Sequence, residues 1–184
     1  MTRAQPAVER PWSIPLAVSE VPDTGRHVDL AADAQARGAI AKLAGLAVLP
    51  RLEASFEVTR RGRGGLRVVG RVSATVGQTC VVTLEPIENE IDEPVDLVFV
   101  PAGELPLSGH DGGEVEVPLE DAAEPLVGSH LDLGAIATEF LMLAIDPYPR
   151  KPDAVFHSPE AGDDSGHPFA RLAALEQKRT GKQR

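Results

Sequence analysis

Cysteine and aromatic residues are scarce in this 184-residue chain, which has one Cys, one Trp, one Tyr and five Phe. A single cysteine, Cys80, excludes an internal disulfide and any zinc site built from several cysteines of one chain. Because aromatic residues are few, the core must be mainly aliphatic. No apolar run reaches the roughly 18 residues needed to span a bilayer, and the first 13 residues lack the apolar core of a signal peptide. These absences predict a cytoplasmic protein without a membrane partner.

Positive charge is absent from a long central stretch. Residues 72–149 contain no Lys or Arg but sixteen Asp and Glu. Residues 1–71 carry eleven basic and seven acidic side chains, and residues 150–184 carry seven and five. The net charge of −10 therefore divides into +4 for the first segment, −16 for the central one and +2 for the last. Such zoning bears on partners and association rather than on fold.

Three stretches between residues 47 and 101 alternate between apolar and polar residues. The first covers 52–58, the second 66–76 and the third 87–99. Period-two alternation indicates half-buried strands, and the glycine-rich stretch 60–65 indicates a hairpin turn. We therefore predict an antiparallel, twisted β-meander that could close towards a barrel.

The flanking segments predict two helices that cover this sheet. Residues 33–44 and 131–145 have apolar stripes at helical spacing, and Asp33 and Asp132 are suited to be their N-caps. Residues 11–18 and 26–30 have the pattern of short strands, with prolines in the first that suit a sheet edge. The predicted class is α+β.

We predict one α+β domain over residues 1–152, which includes an acidic loop at about 102–129. Residues 153–184 have the composition of a flexible linker followed by a basic amphipathic tail. In the acidic loop His110 precedes Asp111, but no second His or Cys at ligand spacing accompanies them. A solvated turn is the favoured interpretation, and no metal site is predicted.

No catalytic motif is present. The chain lacks a Gly-x-Ser-x-Gly elbow, a phosphate-binding Gly-x4-Gly-Lys-Ser/Thr loop and a dinucleotide-binding fingerprint. The acidic residues between Glu85 and Asp96 have the spacing of a solvated strand face, and Glu139 lies at the edge of an apolar helical stripe. The sequence predicts no enzyme activity, no cofactor and no small-molecule substrate.

Two features could bind a partner. The first is a cluster of five arginines within twelve residues, which we name the arginine hairpin: Arg60, Arg61, Arg63, Arg67 and Arg71. Guanidinium groups suit bidentate contacts with phosphate, but charge at a turn also discourages edge-to-edge aggregation. The second feature is the acidic zone, which serves either solubility or recognition of a basic protein.

Three short motifs occur in order along the chain: Cys-Val-Val-Thr-Leu-Glu-Pro at 80–86, Leu-Asp-Leu-Gly at 131–134 with its following glutamate, and a Pro-Phe-Ala ending. Their order and spacing resemble the YceD-like family, also called large ribosomal RNA subunit accumulation proteins. The family's version of the first motif is Cys-x-Arg-Cys-Leu-x-Pro. The positions that carry the resemblance are Cys80, Thr83, Leu84, Pro86, Asp132, Leu133, Gly134, Glu139, Pro168 and Phe169. Because Thr83 replaces the second cysteine, neither a zinc role nor a redox pair is implied for this chain.

The resemblance implies a non-enzymatic ribosome-assembly factor that supports synthesis, processing or stability of the large-subunit (23S) ribosomal RNA. Its partner would be ribosomal RNA or the pre-ribosomal large subunit. The RNA-binding candidates are the arginine hairpin together with Lys178 and Arg179 of the basic tail. The alternative is an adaptor or chaperone whose acidic zone holds a basic ribosomal protein.

Overall fold

The computed structural model describes residues 10–62, 64–101 and 123–156. The chain divides into two compact units, Met1–Pro152 and Asp153–Arg184, and every element described below belongs to the first. In chain order these elements are β1 (Pro15–Ala17), β2 (Arg26–Ala31), α1 (Ala34–Ala44), β3 (Val48–Arg61), β4 (Gly65–Thr79), β5 (Pro86–Pro101), β6 (Ala123–Leu126), β7 (His130–Asp132) and α2 (Leu133–Ala144).

The predicted meander is confirmed as strands β3, β4 and β5. They form an antiparallel sheet with β2, in the order β2-β3-β4-β5-β6, and β6 joins β5 in parallel. Alternate residues of the meander are buried on one face, where they form the largest contribution of the sheet to the core: Leu52, Ala54, Phe56, Val58, Leu66, Val68, Val72, Ala74, Val76, Ile91, Val95 and Phe99. The α+β class is likewise confirmed.

The sheet does not close into a barrel, because its outer strands β2 and β6 do not pair with each other in the described part of the chain. The apolar face of the sheet is instead covered by helices. Helix α1 contacts β3, whereas α2 contacts β4 and β5, and both helices contribute buried side chains to the same core. Helices packed on one face bury the apolar side of an open sheet, so the sheet does not need to close into a barrel.

Three predicted segments have different bounds in the structure. The expected strand at 11–18 is only Pro15–Ala17, and it pairs with β7 in a separate two-stranded sheet rather than with the edge of the meander. The expected acidic loop at 102–129 contains strand β6, and the rest of it up to residue 122 lies outside the described residues. The helix expected from 131 starts at Leu133, because residues 131 and 132 belong to β7.

Both predicted helix caps are confirmed. The Asp33 carboxylate accepts a hydrogen bond from the Ala36 N–H at 2.7 Å, and Gly45 ends α1 with φ +68°. The Asp132 carboxylate accepts from the Ala135 N–H at 3.1 Å. Neither helix in the described part of the chain is long and apolar enough to cross a membrane.

Candidate functional site

The arginine hairpin is the tight connection between β3 and β4. Arg61 is the partner of Gly65 in the strand register, so residues 62–64 form a three-residue loop. Gly62 and Gly64 have φ of +59° and +92°, which only glycine adopts without strain. The predicted glycine-rich reversal is thus confirmed, whereas Arg63 lies outside the described residues.

Two hairpin arginines lie against carboxylates of β5. Arg67 donates to both carboxylate oxygens of Asp96 at 2.9 and 2.7 Å, and Arg71 donates to Asp92 at 2.5 Å. All four side chains are about half exposed. The hydrogen bond from Arg67 lowers the pKa of the Asp96 carboxyl, and the nearby charge of Arg61 lowers it further. These arginines are therefore cross-strand ion-pair partners on the polar face of the sheet.

Arg60 points away from that face. Its Nε donates to the Val21 carbonyl at 2.7 Å, and a terminal nitrogen donates to the Val18 carbonyl at 3.3 Å. Its guanidinium also lies 3.5 Å from Asp23. Arg60 thus holds the connection between β1 and β2, and the structure does not place it with Arg67 and Arg71.

Arg51 belongs to the same polar face, although the sequence reasoning missed it. It donates to Glu90 at 2.7 Å, Glu53 at 3.2 Å, Ser73 at 3.1 Å and Thr75 at 3.3 Å. The alternation of β3 could have revealed Arg51, because the apolar residue that follows it points into the core. Arg51 thus adds a cross-strand ion pair to those of Arg67 and Arg71, farther along the sheet from the hairpin.

The turn after β4 is organised around Cys80, whose side chain is fully buried. The Cys80 N–H donates to the Glu85 carbonyl at 2.9 Å, and the Leu84 N–H donates to the Cys80 carbonyl at 3.0 Å. Leu84 adopts φ +60°, which is uncommon for a residue with a side chain. The turn is therefore a closed loop whose sulfur faces inward.

The Cys80 sulfur accepts two backbone N–H groups, from Lys151 at 3.3 Å and from Thr83 at 3.4 Å. These donors, together with the Thr83 hydroxyl, lower the pKa of the Cys80 thiol to about 6. The Lys151 ammonium lies 2.8 Å from Glu85, which lowers the pKa of that carboxyl. The Val81 N–H also donates to the Pro149 carbonyl at 2.9 Å. Lys151 and Pro149 thus hold the turn to the segment after α2. Lys151 was missed because it is 71 residues from Cys80.

Asp132 connects α2 to the N-terminal segment. Besides capping the helix, its carboxylate accepts from the Ile14 N–H and the Ser13 hydroxyl at 2.8 Å each, and from Arg10 at 2.9 Å. Burial opposes ionisation of Asp132, but these hydrogen bonds outweigh burial and lower its pKa. A Cβ on Gly134 would lie 3.0 Å from the Trp12 carbonyl oxygen, so the close approach of the two segments requires glycine.

The model of the family described as "Large ribosomal RNA subunit accumulation protein YceD" matches residues 68–176. This is 109 of the 184 residues, more than half of the chain. The chain belongs to the YceD family. Its description names accumulation of large-subunit ribosomal RNA and names no reaction. No curated protein and no solved structure matches the chain.

The YceD motif positions that the structure describes, apart from Glu139, lie in the turn that leads into β5 or at the start of α2. Cys80, Thr83 and Leu84 build the turn that leads into Pro86 at the start of β5, and Asp132, Leu133 and Gly134 begin α2. Glu139 is exposed on α2. Burial, and then the charge of Glu139, raise the pKa of Glu124 on β6. Pro168, Phe169, Lys178 and Arg179 lie outside the described residues.

No group of three or more His, Cys, Asp or Glu side chains that could hold a metal ion occurs within residues 10–62, 64–101 and 123–156. The Cys80 sulfur accepts the backbone N–H groups of Lys151 and Thr83. Thr83 occupies the position of the second cysteine in the motif that this segment resembles. His110 and Asp111 lie outside the described residues.

Proposed function

We propose that this YceD-family protein is a non-enzymatic cytoplasmic factor that supports synthesis, processing or stability of the 23S ribosomal RNA. The observation that carries the proposal is the family match over residues 68–176. The geometry of the motif positions supports action by binding: Cys80 fixes Lys151, and Asp132 fixes Ile14. Both motifs hold together segments that are distant in sequence, which suits a protein that presents surfaces to a partner.

The test is complementation of a bacterial strain that lacks this gene. Without the protein we expect the ratio of 23S to small-subunit ribosomal RNA to fall, and the wild-type gene to restore it. A variant that unfolds the scaffold, Phe56→Ala, should not restore the ratio, since removing a fully buried phenylalanine costs about 3–5 kcal/mol. An unchanged RNA ratio in the deletion strain would contradict the proposed function.

Within this function, we propose that RNA phosphates are contacted by four residues of the arginine hairpin, Arg61, Arg63, Arg67 and Arg71, and by Lys178 and Arg179. Arg67 and Arg71 are held by exposed ion pairs, which contribute only about 0.2–1 kcal/mol each and can exchange for phosphate. The carboxylates that they leave behind oppose binding, because they repel phosphates within a Debye length of about 8 Å at physiological salt. Contact with RNA should therefore be weak and strongly salt-dependent.

Replacing Arg61, Arg63 and Arg67 with Ala tests this contact. A log–log plot of single-stranded RNA affinity against salt should lose about two units of slope, since each phosphate contact contributes about −0.7. A control variant that removes two exposed cations outside the hairpin, Lys42 and Arg150, should leave the slope unchanged. Equal binding by the wild type and the triple variant would exclude the hairpin as the RNA contact.

A second candidate function is the acidic adaptor for a basic ribosomal protein. It is favoured by a difference between the cations and the carboxylates. Arg51, Arg67 and Arg71 already have carboxylate partners in the sheet. In contrast, no lysine or arginine of the described residues pairs with Glu124 or Glu139. The charge available to a partner around α2 is therefore negative. Copurification of a large-subunit ribosomal protein that is lost at high salt would support this role.

A further inference from the structure

A groove of about 450 Å³ lies between the N-terminal segment and the outer side of α2. It is lined by Arg10, Pro11, Trp12, Ala135, Thr138, Glu139, Met142 and Leu143. The first three residues form one wall, and residues spaced three or four apart on α2 form the other. The groove thus follows the direction of the helix.

The outer side of α2 is unusually apolar for a helix at a protein surface. Its inner side is buried through Ile136 and Leu141, while Met142 and Leu143 remain 43% and 74% exposed on the outer side. A helix that is apolar all round is normally buried on both sides. The apolar outer side of α2 is thus suited to being covered by a partner.

The charges beside the groove are acidic. Arg10 is occupied by Asp132 at 2.9 Å, which leaves Glu139 as the unpaired charge among the lining residues. Burial, and then the charge of Glu139, raise the pKa of Glu124 on β6. Residues 72–149 contain no Lys or Arg, so β5, β6, β7 and α2 themselves carry no cation that could neutralise either carboxylate.

We propose that this groove binds a basic amphipathic helix of a protein partner. Leucine-like residues at helical spacing would cover Met142 and Leu143, and lysines or arginines on the flank would pair with Glu139 and Glu124, as in helix-in-groove recognition. RNA fits poorly, because both carboxylates repel phosphate. A second copy of this chain also fits poorly, because a symmetric contact would place Glu139 near its own counterpart.

The inference rests on the adaptor role proposed above, and its test is a binding assay on the full-length protein. The probe is a fluorescent 18-residue helical peptide with leucines at i, i+3, i+4 and i+7 and lysines elsewhere. A matched peptide carries glutamates instead of the lysines. We expect the lysine peptide alone to bind, and its affinity to fall as salt is raised.

Two variants locate the binding to the groove, with a matched control for each. Leu143→Glu and Glu139→Lys should each weaken binding at least about tenfold, which corresponds to 1.4 kcal/mol. Leu43→Glu changes a leucine that is 58% exposed on α1, and Glu88→Lys changes a glutamate on the polar face of β5. The affinity of both control variants for the lysine peptide should stay within about twofold of the wild-type affinity.

Binding of the glutamate peptide at equal affinity, or full binding by Leu143→Glu, would overturn the inference. So would displacement of the peptide by single-stranded RNA in the wild type, or a wild-type dimer in sedimentation that Leu143→Glu dissociates. Circular dichroism of each variant verifies the fold, and two independent groove variants keep the test decisive if one unfolds. The ratio of 23S to small-subunit RNA in cells reports the proposed function separately, so each hypothesis can fail alone.

Discussion

The two helices have nearly the same length and the same kind of N-cap, yet they differ in what surrounds them. Helix α1 has 11 residues and α2 has 12, and each begins after an aspartate that caps it. The solvent side of α1 carries the charged residue Lys42 beside one exposed leucine, Leu43, whereas the outer side of α2 carries both Met142 and Leu143. Similar local sequence rules thus produce a helix that only covers the sheet and a helix that also holds the N-terminal segment.

The difference begins at the caps. The Asp33 carboxylate accepts a hydrogen bond from the Ala36 N–H of the helix that it caps. The Asp132 carboxylate accepts the equivalent bond and also holds Arg10, Ser13 and Ile14. An aspartate can therefore serve one helix alone or can join two distant segments, and only tertiary structure decides which.

The largest expected difference is between Asp132→Ala and Asp33→Ala. Losing a helix cap costs about 1 kcal/mol, which we expect for Asp33→Ala. Asp132→Ala should cost about 3 kcal/mol, because it also leaves the Ile14 N–H without its acceptor. Urea unfolding of both variants measures the two losses. Equal losses would show that the contacts to the N-terminal segment contribute no stability.

Glycines inside the two helices should respond to alanine with opposite signs. A Cβ on Gly38 of α1 meets nothing within 4 Å, so Gly38→Ala should stabilise the protein by about 0.5–1 kcal/mol. A Cβ on Gly134 meets the backbone of Trp12 and Ile14 at 3.0–3.1 Å. Gly134→Ala should therefore destabilise it by about 1 kcal/mol or more. Thermal unfolding checks both signs, and stabilisation by Gly134→Ala would contradict the close approach.

A smaller effect is expected from acid. The pKa of Asp132 is lower in the folded protein than its ordinary value of 3.8. Its ionisation therefore contributes stability that is fully present above about pH 4 and is lost as pH falls through the lowered folded pKa. Urea midpoints between pH 6 and pH 2.5 should decrease less steeply at the acid end for Asp132→Asn than for wild type. Parallel curves would contradict the shift.

Local patterns were sufficient to predict the meander and both caps. Period-two alternation specified which face of β3 is buried, with Phe56 in the core, and the glycines at 62 and 64 specified the hairpin. Apolar periodicity and a preceding aspartate specified α1 and α2. These signals succeed because they depend on residues within a few positions of each other.

The missed features all depend on residues far apart in sequence. The β1–β7 pairing, the parallel strand β6 and the contact between Lys151 and Cys80 leave no local pattern. The arginine hairpin shows the same limit: its charge was evident, but the sequence did not reveal that Arg67 and Arg71 face Asp96 and Asp92. Pairing across strands depends on register, which the turns fix only in three dimensions.

The β1–β7 pairing has a consequence for the order of folding. Leu16 pairs with Leu131 across 115 residues, whereas β3 and β4 are joined by a three-residue turn. In an unfolded chain, closing the loop between Leu16 and Leu131 costs about 3 kcal/mol more free energy than closing the hairpin, because it restricts more of the chain. We therefore expect the meander to form before the transition state and the N-terminal segment to dock after it. In stopped-flow measurements Asp132→Ala should then accelerate unfolding with little change in the folding rate, whereas Val68→Ala in the meander should slow folding.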